Sequence, residues 1–104
     1  MSEQQPLVTL KLAVQAALIG EVTNRMVSVT CGLRNRHIQI RAYVSGEVQD
    51  ADIERVQFIS TEVIAEFPEG YTIEESCCSV GDEKEEMLDF WAFRRAAEQM
   101  TPTD

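Results

Sequence analysis

The stretch DADIERVQFISTEVIAEF, residues 50–67, decides how the rest of the chain is read. Ile53, Val56, Ser60, Val63, Ile64 and Phe67 recur at helical spacing between the breakers Ser45-Gly46 and Pro68-Glu69-Gly70, which predicts an amphipathic helix. Strand-like runs flank it on both sides, so its apolar stripe is the surface on which a sheet would close a core.

Upstream, Arg25 to Leu33 is rich in β-branched residues, with Val27, Val29, Cys31 and Leu33 expected on one face and Met26, Ser28 and Thr30 on the other. Turn residues fill Gly32 to Asn35. Ile38, Ile40, Ala42 and Val44 then alternate with His37, Gln39, Arg41 and Tyr43, and the two runs read as an antiparallel hairpin with one face covered and the other partly wet. Further upstream, Pro6 suits a first helical turn, and Leu7, Leu10, Val14, Ala17 and Leu18 share a helix face that Gly20 can end. A rival pattern runs through the same residues, since Val8, Leu10, Leu12 and Val14 also alternate as in a strand. Ala13, Ala16 and Ala17 favour the helix.

Downstream, Tyr71 to Cys78 is expected to be a third strand, with Tyr71, Ile73, Glu75 and Cys77 on one face and Thr72, Glu74, Ser76 and Cys78 on the other. On the first face Glu75 could pair with Arg25, Arg41 or Arg94. Asp82 to Glu86 reads as a solvated charged loop, and the aromatic stretch from Leu88 as a fourth strand to about Arg94. Phe90, Trp91 and Phe93 should divide between the faces, two filling the core and one facing away. The expected fold is α+β in the order α-β-β-α-β-β: a four-stranded, mostly antiparallel sheet from two hairpins, with both helices packed on one face. The 104 residues suit a single domain, with 1–5 and 100–104 frayed for lack of apolar periodicity.

The formal net charge is −9, and its distribution is lopsided. Between Gly46 and Phe90, fourteen acids face two bases, Arg55 and Lys84, a balance of −12. Such a field repels phosphate backbones, which argues against nucleic acid as a partner, and steers a basic protein inward. Glu62, Glu66, Glu69, Glu74, Asp82, Glu83, Glu85 and Glu86 are the candidate partner-binding carboxylates. The same charges could equally serve only to keep a small domain in solution.

The most apolar window, Leu7 to Val22, is interrupted by Lys11 and Gln15 and falls short of the roughly 20 apolar residues of a membrane span. Ser2 to Gln5 supply no basic region for a secretory signal, so a cytoplasmic location is expected. The three cysteines, Cys31 and the vicinal Cys77-Cys78, fit reduced thiols used as small hydrophobes, with a Cys31–Cys77 or Cys31–Cys78 bridge as the alternative. One histidine, His37, and two adjacent cysteines do not have metal-ligand spacing, and no cofactor motif is present. No serine sits in an elbow motif for His37 to activate, and adjacent Glu74 and Glu75 would point to opposite faces, so no enzyme is expected. The aromatic late strand, together with the edges left by an open four-stranded sheet, makes a homodimer the competing expectation.

The run AALIGEVTNRMVSVTCGLRNRHIQIRAYVSGEVQDADIERVQFISTEVIAEFPEGYTIEE, residues 16–75, followed by FWAFRR, residues 90–95, resembles a family of small bacterial α+β proteins. Some members lie beside polymorphic toxin genes and look like immunity proteins of contact-dependent inhibition systems. The pieces that carry the resemblance are ALIG-x-VT, the helix ending TEVIAEFP, and the late aromatic strand ending in arginine; the Cys77-Cys78 pair and the acidic loop at 82–86 depart from the pattern. The resemblance implies the α-β-β-α-β-β order, no catalytic residue, and a cognate toxin domain as the partner.

Overall fold

The computed structural model describes residues 4–81 and 85–95. Its elements are α1 (Gln4–Leu18), β1 (Met26–Arg34), β2 (His37–Val44), α2 (Asp50–Ile64), β3 (Thr72–Ser79) and β4 (Phe90–Arg94), the order the sequence predicts. Gln4 and Gln5, expected to fray, begin α1; residues 1–3, 82–84 and 96–104 lie outside the described residues.

The sheet order is β3-β2-β1-β4, and the sheet is mixed rather than mostly antiparallel. β1 pairs antiparallel with β2 and with β4, whereas β2 and β3 are parallel. The second expected hairpin does not form. A parallel neighbour requires a crossover, and α2 supplies it between β2 and β3. The chain then returns along the far side of β1, leaving β3 and β4 at opposite edges.

The β1–β2 hairpin turns on Asn35 and Arg36, whose φ values of 49° and 67° match the left-handed pair of a type I′ loop. Asparagine tolerates that region; arginine is held there at a cost, with the Arg36 carbonyl accepting the Thr72 N–H at 2.9 Å.

Both helices cover one face, where Leu10, Val14, Val29, Cys31, Ile38 and Ile40 join Val56, Ile59 and Val63 in a single core. One expectation about faces is corrected by a local irregularity, and a second irregularity produces the expected division of the late aromatic rings. A bulge between Met26 and Ser28 turns Met26 into the core and takes Val27 out of the cluster, though Val27 is still buried. A second irregularity, opposite Val29 and Thr30, lets both Phe90 and Phe93 pack on the core while Trp91 pairs with Thr30 on the other face.

On α2 the buried face is Val56, Ile59, Ser60 and Val63, with Asp52 at its start. Ile59 takes the place assigned to Ile53, which is 41% exposed, because the buried face is turned toward Ile59 and leaves Ile53 at its margin. The helix ends at Ile64, earlier than Phe67, which folds back half-buried against Tyr71 with ring centroids 4.9 Å apart.

The start of α2 is pinned by charge. Arg25 Nε donates to both Asp52 oxygens at 2.9 and 3.1 Å, and its Nη2 donates to Asp52 Oδ2 at 2.8 Å and to the Glu47 carbonyl. The Gln49 N–H completes the cradle at 2.9 Å. These hydrogen bonds, with Arg25 first, hold the Asp52 carboxyl below its ordinary range. Arg25 therefore pairs with Asp52, not with Glu75 as one sequence reading allowed.

Candidate functional site

The two faces of the sheet carry different chemistry. Opposite the helices, β1 presents Ser28 and Thr30 and β2 presents Arg41 and Tyr43. This face was expected to be partly wet, yet Ser28, Thr30 and Tyr43 are fully buried because the connection 85–89 folds across them. The segment is held by hydrogen bonds. Ser28 Oγ donates to Glu85 at 2.8 Å, the Glu86 N–H donates to the Tyr43 hydroxyl at 3.0 Å, and the Leu88 N–H donates to Thr30 Oγ1 at 2.8 Å. Asp89 Oδ2 accepts the Leu33 N–H at 2.8 Å. Gly32 makes the approach possible, since a Cβ there would lie 3.2 Å from both Leu88 Cβ and Asp89 Oδ2. The described end of the predicted solvated loop is thus a strap on the sheet; Asp82 and Glu83, with Lys84, lie outside the described residues.

The candidate carboxylates do not converge on one spot. Glu62 and Glu66 stand on and just beyond α2, along the groove it forms with α1. Glu69 is exposed in the turn leading to β3. Glu74 lies on the opposite sheet face with its Oε1 2.6 Å from His37 Nε2, and that hydrogen bond holds its carboxyl below the ordinary range. Glu85 and Glu86 belong to the strap.

The groove between α1 and α2 measures about 360 Å³; Thr9, Leu12, Ala13, Ala16 and Ala17 line it from α1, Glu62 from α2 and Glu66 from the turn just beyond it. Beside it, Val8, Leu12 and Ile19 are 51%, 67% and 79% exposed, although α1 already buries Leu10, Val14 and Leu18 on its other side. The sequence reading missed this second apolar face. Its signal was the pair of rival patterns in residues 7–18: a helix that is apolar on two sides satisfies a strand-like alternation as well.

One arrangement has the layout of a hydrolytic relay, with Thr72 Oγ1 2.7 Å from His37 Nδ1 and Glu74 on the other ring nitrogen. It sits on the open edge of β3 with the Glu74 side chain 60% exposed. A surface hydrogen-bond chain accounts for it. The thiols are no better placed for catalysis. Burial pushes Cys31 up to about 12 and Cys77 up to about 11, so both stay protonated at neutral pH, and none of the three cysteines is in a disulfide. Among the described residues no group of three His, Cys, Asp or Glu side chains could hold a metal ion, and no helix is long and apolar enough to cross a membrane.

Comparison with known families finds a match to the family model described as MafI2 immunity protein, over residues 8–97. No curated protein matches the chain.

Proposed function

The chain belongs to the MafI2 immunity protein family, and from that premise we propose that it is a non-enzymatic, acidic protein that neutralises a cognate toxin by binding a basic surface on it. The observation that carries this reading is the span of the match, which runs from within α1 through the last residue of β4 and so takes in every strand and α2. The charge supports the kind of partner: with −9 overall, the protein attracts a basic surface and gains on-rate from that attraction. Glu62, Glu66, Glu69, Glu74, Glu85 and Glu86, together with Asp82 and Glu83 of the sequence, contribute to that field. Three cysteines outside any disulfide fit a reducing compartment, and we place the protein in the cytoplasm, where its own cell would need protection.

Co-expression with the toxin encoded by the adjoining gene is the test. Growth restored by this protein, together with association that slows as salt shortens the Debye length from about 30 Å at 0.01 M to about 8 Å at 0.15 M, is the expected result. Growth arrest undiminished by the protein, or a genomic neighbourhood without any toxin, would overturn the reading.

A second reading is a homodimer formed along β4, an edge strand that carries Trp91 with the Arg94 guanidinium 4.4 Å from its ring centroid. It ranks second because Gln15 Nε2 already donates to the Ala92 carbonyl at 2.8 Å, which blunts that edge. Sedimentation at micromolar concentration giving only a monomer would remove it.

A further inference from the structure

We infer that the groove between α1 and α2 is the seat of the toxin contact, and that it receives an amphipathic helix whose apolar side is aliphatic and whose flank is basic. This rests on the immunity reading above and adds to it a place and a partner chemistry.

Three observations lead there. The first is the surplus apolar surface of α1. Val8 and Leu12, four residues apart, share one outward side of α1, and Ile19 follows in the turn just past its end; each is more than half exposed. Lys11 is the single charge between Gln4 and Leu18, and its ammonium is drawn away to the Phe90 ring, 5.4 Å from the centroid. An aliphatic ridge this long on a small domain marks an interaction surface rather than ordinary scatter.

The second is shape. Ala13, Ala16 and Ala17 keep the groove wall low beside Leu12, so a partner helix can settle between α1 and α2 with its own side chains reaching the floor.

The third is charge, and it selects the occupant. Glu62 on the last turn of α2 and Glu66 in the turn just beyond it both line the groove, and neither is paired with a cation among the described residues. A basic flank on a partner helix would complement them. A second copy of this chain would bring another −9 and the same two glutamates to the contact, so self-association through the groove is disfavoured. The chain's own residues 96–104 contain Glu98 and Asp104 and no base, and do not complement the rim either.

The experiment measures binding of the full-length protein to the purified toxin domain encoded by the adjoining gene, at 0.01 M and 0.15 M salt. Leu12→Asp is expected to weaken affinity at least about 30-fold, mainly through the off-rate, as removal of an anchor does. Glu62→Lys combined with Glu66→Lys is expected to lower the on-rate by about 10-fold at 0.01 M and by clearly less at 0.15 M. Ser76→Ala, at an exposed position on the opposite sheet face, is the control and should bind as the wild type does. All three sites are exposed, and thermal melts matching the wild type confirm that the variants fold. If the wild type binds and the two groove variants bind equally well, the seat is elsewhere and the immunity reading stands. If Ser76→Ala costs as much as the groove variants, the contact lies on the strap side and the proposal is overturned. If the wild type does not bind, both readings fail together.

Discussion

The helix-covered face of the sheet and the strap-covered face are both dry, but different forces keep them so. Beneath α1 and α2 the contacts are aliphatic, and closure comes from apolar area, about 1.5–3 kcal/mol for each fully buried Leu or Ile. Beneath residues 85–89 the buried groups are Ser28, Thr30 and Tyr43, and closure comes from a short series of hydrogen bonds, each contributing about 0.5–1.5 kcal/mol net. The first surface is non-directional and tolerant of adjustment. The second depends on register, because a shifted strap would leave buried hydroxyls unpartnered. The helix layer can therefore offer its outer side to a partner without disturbing the fold, whereas the opposite face is occupied by the chain itself.

The contrast can be broken most severely at Ile59. Ile59→Ala empties a site that is 1% exposed at the centre of the helix layer, and chemical denaturation should report a loss of about 2–5 kcal/mol. Phe67, only half-buried, should cost less than a fully buried ring when truncated to alanine.

Asp52 comes next. Asp52→Ala removes the carboxylate that anchors Arg25 and the start of α2, with an expected loss of about 1.5–3 kcal/mol, toward the lower end because the Arg25 side chain is 34% exposed. Its pH dependence has a definite sign. The folded carboxyl titrates below its unfolded value of about 3.9, so its contribution is complete above that value and is lost as pH falls through the lower folded one. Acid unfolding of Asp52→Asn should show less dependence on pH across that window than the wild type.

The strap is probed at Gly32. Gly32→Ala places a methyl 3.2 Å from Leu88 Cβ and Asp89 Oδ2, and should cost about 1–2 kcal/mol. The effect should be local: amide exchange should quicken at Leu33 and Leu88, whose N–H groups bond to Asp89 and Thr30, while the helix layer keeps its protection.

The smallest effect is a gain. Arg36 sits at φ 67°, and Arg36→Gly relieves left-handed strain of about 1–2 kcal/mol while giving up some of it to the freer unfolded chain. A net stabilisation of about 0.5–1 kcal/mol is expected. A loss would mean that the side chain contributes more at the hairpin tip than its backbone costs.

Much of the inner face was legible in the sequence, because 3.6-residue and two-residue periods report burial on one side of a helix or strand. Val56, Val63, Val29, Ile38, Ile40 and Ala42 all lie where their periods put them. The period failed where the backbone slipped. At Met26–Ser28 and at Ala92 a single extra residue reverses the face of the residues beyond it, and no residue type there announces it. Sheet order was not legible either, since a β-α-β crossover and a pair of hairpins leave the same order of elements along the chain. The outer face was misread for another reason. Its coverage depends on Gly32, Thr30 and Tyr43 meeting a segment more than forty residues later, a contact with no local period. Of the candidate carboxylates, Glu62 and Glu66 are the two that line the groove between the helices, but the exposed side of α1 beside it was hidden by the strand-like reading of the same residues.

Amide exchange of the protein alone and with the adjoining gene's toxin compares the two faces most directly. The account predicts slowed exchange along α1 and α2 on binding, with residues 85–89 and β3 unchanged. Protection gained at the strap and β3, with the helices unaffected, would contradict it.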